Sequence, residues 1–193
     1  MSQKKGSPGN SSQAKGGPVE QAIRKRRRRL SQISDIKSFF SRLLVMIIMI
    51  YIMFWIIFGL QPMANDDMKP RISAGDLMLF YRLETRINSD DVVVIHKDGK
   101  TYTGRIVAKG GDKVEVTDDS TLKINDSTMI ESDIFYSTPK YEEYVQYPLQ
   151  LAEDEYFILC DYRNGAKDSR YFGAVKKNEI MGKVITIIRR SNL

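Results

Sequence analysis

The 193-residue sequence contains one cysteine and one histidine. With Cys160 alone no internal disulfide can form, and with His96 as the single imidazole no zinc cluster of several Cys and His ligands can be built. No metal and no cofactor are expected. Long apolar runs are equally scarce. Only Leu43 to Leu60 is nearly continuous, and this limits membrane crossing to one segment.

A folded basic face is missing too, although the net charge is +6. Met1 to Arg42 hold 11 of the 30 Lys and Arg residues against 2 of the 24 Asp and Glu, which leaves 19 against 22 in the remainder. A phosphate-binding fold carries its cations on the surface that meets the backbone, whereas here they sit in a tail. Nucleic acid is excluded as an expected partner.

Met1 to Glu20 are rich in Gly, Ser, Lys, Gln and Pro, too polar to offset the entropy of ordering. Residues 1–36 are therefore expected to form a disordered basic tail. The cationic run Arg24 to Arg29 lies just before the apolar segment, which as a helix reaches about 27 Å, close to the thickness of a hydrocarbon core. With Phe39 and Phe40 extending it, residues 37–61 are expected to be a transmembrane anchor. Lys37 and Arg42 add positive charge on the N-terminal side, so the tail should stay cytoplasmic and the chain beyond Leu60 should face outward at the cell membrane. A cleavable signal peptide is the competing reading, but the run is long for one and Gln61-Pro62-Met63-Ala64-Asn65 offers no clear cleavage pattern.

From Pro70 onward the pattern is one of short β-type runs: Leu77 to Tyr81, Val92 to Ile95, Tyr102 to Val107, Val114 to Val116, Tyr156 to Leu159 and Val184 to Ile188. Between them lie Gly75-Asp76, Asp98-Gly99, Gly110-Gly111-Asp112 and Asn164-Gly165, which supply the positive φ of tight turns. Residues 62–193 are thus expected to be one mainly β, antiparallel domain.

Four segments fall, in order, on a known set of boxes. Asp67-Met68-Lys69-Pro70 followed by Gly75-Asp76 matches Ser-Met-x-Pro and a later Gly-Asp. Asp90-Asp91-Val92-Val93 matches a Gly-Asp-x-Val strand in part. Gly104-Arg105 through Gly111-Asp112 matches a Lys-Arg box closed by Gly-Asp. Cys160-Asp161-Tyr162-Arg163 through Asp168-Ser169-Arg170 matches a final box that reads Gly-Asp-Asn-Arg-x-x-Ser-x-Asp-Ser-Arg. In these boxes the chain resembles type I signal peptidases, the membrane-anchored Ser-Lys enzymes that remove signal peptides from exported proteins. The resemblance covers roughly residues 40 to 190.

The resemblance implies that Asp67 stands at the nucleophile position, Gly104 at the general-base position and Ala166 at the position of the hydroxyl that orients the base. It also implies that Met68, Pro70, Arg163 and Ser169 shape the cleft. Arg105 with Asp161, and Arg170 with Asp168, would be its supporting ion pairs. A serine attacks a carbonyl only when a neighbouring base takes its proton, and in this family the base is a lysine kept neutral by a partly apolar site. Asp67 has no hydroxyl and Gly104 no side chain, so no acyl transfer is expected and the catalytic set is empty.

Other groups could in principle substitute. Lys100 lies four residues before Gly104 on an extended path, Lys109 lies in a turn, and Ser73 reads as an ordinary turn residue. An aspartic mechanism would draw two carboxylates from Asp66, Asp67, Asp161 and Asp168. A Cys160–His96 dyad requires residues far apart in sequence, and a buried inert thiol is the commoner use of such a cysteine. An active peptidase with an unusual catalytic group stays open as the alternative.

Asp67 and Gly104 together resemble the pairing in the catalytically degenerate SipA-type signal-peptidase-like proteins of Gram-positive pilus loci. That likeness implies a non-catalytic, membrane-anchored chaperone or assembly factor for surface pili. Its expected partners are an exported pilin or another signal-peptide-bearing protein, and the sortase machinery. The stretch with Phe135, Tyr136, Tyr141, Tyr144 and Tyr147 has two readings, a partner surface or a cover over the domain's own core.

Overall fold

The computed structural model describes residues 17–131, 134–141 and 144–190. Two compact units divide between Ile50 and Tyr51. The expected disorder of residues 1–16 lies outside the described residues.

The first unit is helical. Helix α1 spans Pro18–Ile52. Pro18 sits in its first turn, where a missing N–H costs nothing, and the Gly17 carbonyl accepts from the N–H groups of Glu20 and Gln21 at 2.9 and 3.1 Å. The disordered tail expected to reach residue 36 is corrected here, because residues 18–36 are helical. From Val19 to Ile52 there is no Gly or Pro, and Arg, Lys, Gln, Ala and Glu are good helix formers. Once the apolar segment has nucleated, each further residue adds one hydrogen bond, so the helix propagates back to its proline. Together with the π-helical turn Met53–Ile57 it is the one helix, among the described residues, long and apolar enough to cross a membrane.

The far end of the expected anchor also differs. Residues 58–61 are not helical but belong to strand β1 (Phe58–Pro62), which pairs with β2 (Leu77–Tyr81). Gly59 is the cause: it disfavours helix, and a Cβ there would overlap the Phe80 ring, so only glycine lets the two strands close.

The second unit is mainly antiparallel β. The remaining strands are β3 (Val92–Lys97), β4 (Lys100–Lys109), β5 (Lys113–Val116), β6 (Leu122–Ile124), β7 (Ser127–Thr128), β8 (Leu149–Gln150), β9 (Glu155–Leu159), β10 (Val175–Lys176) and β11 (Ile180–Ile188). A seven-stranded sheet has the order β1-β2-β11-β3-β4-β9-β10, and a four-stranded sheet the order β7-β6-β5-β8. All the expected strands are present. At the β3–β4 hairpin Lys97 faces Lys100 across Asp98 and Gly99, both with positive φ. That is the two-residue turn whose twist suits antiparallel strands.

Three apolar clusters hold the domain. One joins β4 and β9 to β5 and β6 through Val107, Phe157, Val114 and Leu122. A second surrounds Val93, Ile95, Ile106 and Ile158. The third packs Met63, Met68, Ile72, Met78, Cys160 and Ala166, and so brings the first box, β2 and the last box together.

Candidate functional site

The start of β4 leaves one strand edge open. Ile106 turns its backbone toward β3, accepting from the Asp90 N–H at 2.8 Å and donating to the Asp91 carbonyl at 2.9 Å. Alternation along a strand then turns Arg105, Thr103 and Thr101 the other way. Arg105 faces Leu159 of β9, but β9 ends there, and the edge at Thr101 and Thr103 has no strand beside it among the described residues. Opposite lies the segment Gln61 to Asn65, which continues β1, itself the end strand of the sheet. Between the two runs a narrow cleft of about 40 Å³, bordered also by Asp67, Cys160 and Lys167.

The floor rests on buried arginines. Arg105 donates to Asp161 from Nε at 2.8 Å and Nη2 at 2.7 Å, and from Nη1 to the Asp90 carbonyl at 2.9 Å. Burial favours the neutral guanidinium, yet Asp161 and Asp90 outweigh it and hold Arg105 charged. Arg170, 0% exposed, donates to Asp168 from Nε at 2.9 Å and Nη2 at 2.8 Å. Asp168 also caps helix α2 (Ser169–Phe172) through the Arg170 N–H and accepts from the Cys160 N–H at 3.1 Å. Arg163, also fully buried, donates to the Cys160 carbonyl and Thr138 Oγ1 at 2.7 Å each and to Glu131 at 2.5 Å. Ser169 Oγ accepts from the Ile158 N–H at 2.9 Å. Such paired, bidentate geometry is what keeps a buried charge tolerable.

Above this floor the first box forms a turn in which the Ile72 N–H reaches the Met68 carbonyl at 3.0 Å. Met68 is buried, with its sulfur accepting from the Asp161 N–H at 3.5 Å, while Pro70 is exposed on the outer side of the turn. Asp67 is half-buried at the cleft. Asn65 Nδ2 donates to its Oδ2 at 2.7 Å, and the Tyr162 N–H donates to its carbonyl at 2.8 Å. Burial pushes the Asp67 carboxyl up, Asn65 pulls against it, and the nearby charges of Asp168 and Asp66 push it further.

Gly104 lies on β4 against β9. A Cβ at this position would stand 2.6 Å from Ile158 Cγ2 and 3.1 Å from the Leu159 carbonyl oxygen, so the site has closed around the absence of a side chain. Ala166 is buried in the cluster that contains Met68 and Cys160.

The possible substitutes are dispersed or engaged. Lys100 and Lys109 are exposed at the two ends of β4, and His96 is exposed on β3. The Ser73 N–H belongs to a turn closed by Asp76 at 3.0 Å. Cys160 is buried, and burial with the charges of Asp168 and Asp67 raises its thiol well above the ordinary value, so it stays protonated. Of the four aspartates, Asp161 and Asp168 are taken up by guanidinium groups. Asp66 accepts from the Ala74 N–H and pairs with Lys69 at 2.8 Å, which holds it below the usual carboxylate range.

Sequence reasoning overlooked Asn65, Lys167, Glu131 and Thr138. It singled out the tyrosine-rich stretch, and the two readings divide within it. Tyr141 lies over Arg170, 4.5 Å from guanidinium carbon to ring centroid, and donates to the Ala166 carbonyl at 3.1 Å. Tyr147 packs on Phe157 and Tyr136 on Tyr162. Tyr141 and Tyr147 cover the domain's own interior, whereas Tyr136 and Tyr144, the latter against Tyr171, are exposed. Phe135 is 85% exposed.

A profile of the family described as "Signal peptidase, peptidase S26" matches residues 36–188. A Staphylococcus aureus protein named inactive signal peptidase IA is 23% identical over 161 residues, covering 77% of this chain and 88% of its own length. Signal peptidase IB of the same species is 27% identical over 138 residues, covering 62% and 72%. A solved signal peptidase I from Enterococcus faecalis is 29% identical, covers 53% of this chain and 98% of its own, and has a TM-score of 0.43.

Proposed function

The chain belongs to the signal peptidase family, peptidase S26, and on that premise we propose that it is a non-catalytic member that holds exported polypeptides at the membrane without cutting them. One observation supports the reading: the arginine–carboxylate floor is fully formed, while Asp67 at the cleft and Gly104 buried beside it are the residues that the resemblance assigns to the nucleophile and base positions. Gly104 leaves no amine to accept a proton, and Asp67 no hydroxyl to attack. Relatives named inactive signal peptidase IA support the same reading.

Gripping a polypeptide needs neither group. The strand edge at Thr101 and Thr103, where the Thr103 carbonyl accepts from the Cys160 thiol, and the segment Gln61 to Asn65 both border the cleft, and on this reading an extended chain adds there as a strand, bound through its backbone. The N-terminal helix anchors this domain on the outer side of the cell membrane, with the basic segment inside. In its Asp67 and Gly104 pairing the chain resembles SipA-type proteins, so the proposed client is a pilin subunit, and the role is that of a chaperone or assembly factor working beside sortase.

The test is to incubate the full-length protein in lipid nanodiscs with a pilin precursor and with signal-peptide segments, following binding by fluorescence anisotropy and cleavage by mass spectrometry. Binding without cleavage is expected. Cleavage abolished by Asp67→Ala would overturn the reading in favour of a peptidase with an unusual catalytic group. Failure of every segment to bind would leave an anchor without a substrate groove.

A further inference from the structure

Resting on the reading that the cleft grips an extended chain, we propose that Asp67 makes it selective for a segment that presents a lysine or arginine side chain to the Asp67 carboxylate at the cleft. The argument is one of charge balance. Asp66, Asp161 and Asp168 each have a cation of their own in Lys69, Arg105 and Arg170, all within 2.8 Å. The Asp67 carboxylate has only the neutral amide of Asn65, at 2.7 Å, among the partners the described residues give it. Its charged surroundings are negative as well, since Asp168 and Asp66 are the charges that bear on it.

Lys167 is the one cation bordering the cleft among the described residues, and it is exposed, with its ammonium 5.1 Å from the centroid of the Tyr171 ring. The half-buried carboxylate therefore carries an unbalanced charge in a space that a bound chain would dry further. An arriving ammonium or guanidinium gains a charge-assisted hydrogen bond there and relieves the repulsion among the carboxylates. A carboxylate at the same place adds to that repulsion, which turns attraction into selectivity.

The experiment scans one lysine along a neutral, extended peptide and compares each register with norleucine, its uncharged counterpart, on full-length protein in nanodiscs. In one register lysine is expected to bind about two- to fivefold more tightly, the scale of a partly exposed ion pair. Asp67→Asn keeps the contact with Asn65 and should bring lysine affinity down to that of norleucine in the same variant. Lys167→Ala should leave the preference intact. Equal affinity of lysine and norleucine peptides in every register would overturn the proposal. So would an equal loss for both peptides in Asp67→Asn, or loss of the preference in Lys167→Ala, which would mean that Asp67 acts through Lys167. If no peptide binds at all, the grip itself is absent, and the selectivity falls with it.

Discussion

The floor of the cleft and its surface, although only one layer of side chains apart, obey different rules. The floor consists of three buried arginines whose every charge is answered by a carboxylate or a carbonyl. The surface has Asp67, half-buried, with Gly104 and Ala166 buried beneath it, and on the proposed reading these three stand where the family resemblance places Ser, Lys and Ser. Removing half of a buried ion pair strands a charge in a medium that cannot solvate it, whereas replacing a half-exposed nucleophile costs the fold little. On the proposed reading, a chain with no need to cut is free to change its surface and still bound to its floor.

The largest effect expected from this contrast is on the floor. Asp168→Ala leaves Arg170 buried without its carboxylate and Cys160 without an acceptor, and should cost about 3–5 kcal/mol in urea unfolding. A loss below about 1 kcal/mol would mean that the floor is no more constrained than the surface.

Restoring the surface comes next. Gly104→Lys forces a Cβ against Ile158 and should destabilise by about 1–3 kcal/mol. Combined with Asp67→Ser it should still give no turnover of a signal-peptide substrate in a mass-spectrometric assay, because Ala166 offers no hydroxyl to orient the amine. Robust turnover would show the cleft to be far less remodelled than its packing indicates.

Tyr141→Phe probes the seam between the two layers. It removes a hydroxyl that holds the Ala166 carbonyl but leaves the ring over Arg170, for an expected loss of about 1 kcal/mol in thermal unfolding.

The smallest effect has the opposite sign. The Asp67 carboxyl is raised above its ordinary 3.8, chiefly by burial, so folding disfavours its ionised form. Its contribution is most favourable below the unfolded value and is lost as pH rises through the folded one. Asp67→Asn should therefore stabilise at neutral pH by roughly a few tenths of a kcal/mol after solvent screening. That gain should vanish in melts as pH falls toward 3.8. A gain that persists in acid would place the strain elsewhere than in the charge.

Much of the fold was legible because its signals are local. Val92 to Ile95 and Leu77 to Tyr81 announce strands by composition, and Asp98-Gly99 announces its hairpin by the φ values those residues tolerate. Short strands such as Leu149–Gln150 and Val175–Lys176 were not legible, since two residues carry no periodicity and pair only because the fold brings partners to them. The helical extension to Pro18 was misjudged for a related reason: composition measures the cost of burial, while a helix continues on local hydrogen bonds alone. At the site, the Arg105–Asp161 and Arg170–Asp168 pairs follow from the boxes. Glu131 and Thr138 were invisible because nothing in their neighbourhood marks a side chain that will meet an arginine more than 20 residues away, and Asn65 because only the folded cleft turns its amide onto the Asp67 carboxylate.

What the sequence alone determined is chemical and subtractive: which groups are missing, where the one apolar run lies, and which residue types stand at each box. Those facts are covalent and need no folding to be true. What only the tertiary structure decided is where charges are balanced and where space remains. The closure of β9 over Gly104, the answered arginines and the unanswered Asp67 arise from contacts between distant segments, and neither a distance nor a dielectric is written in the order of residues.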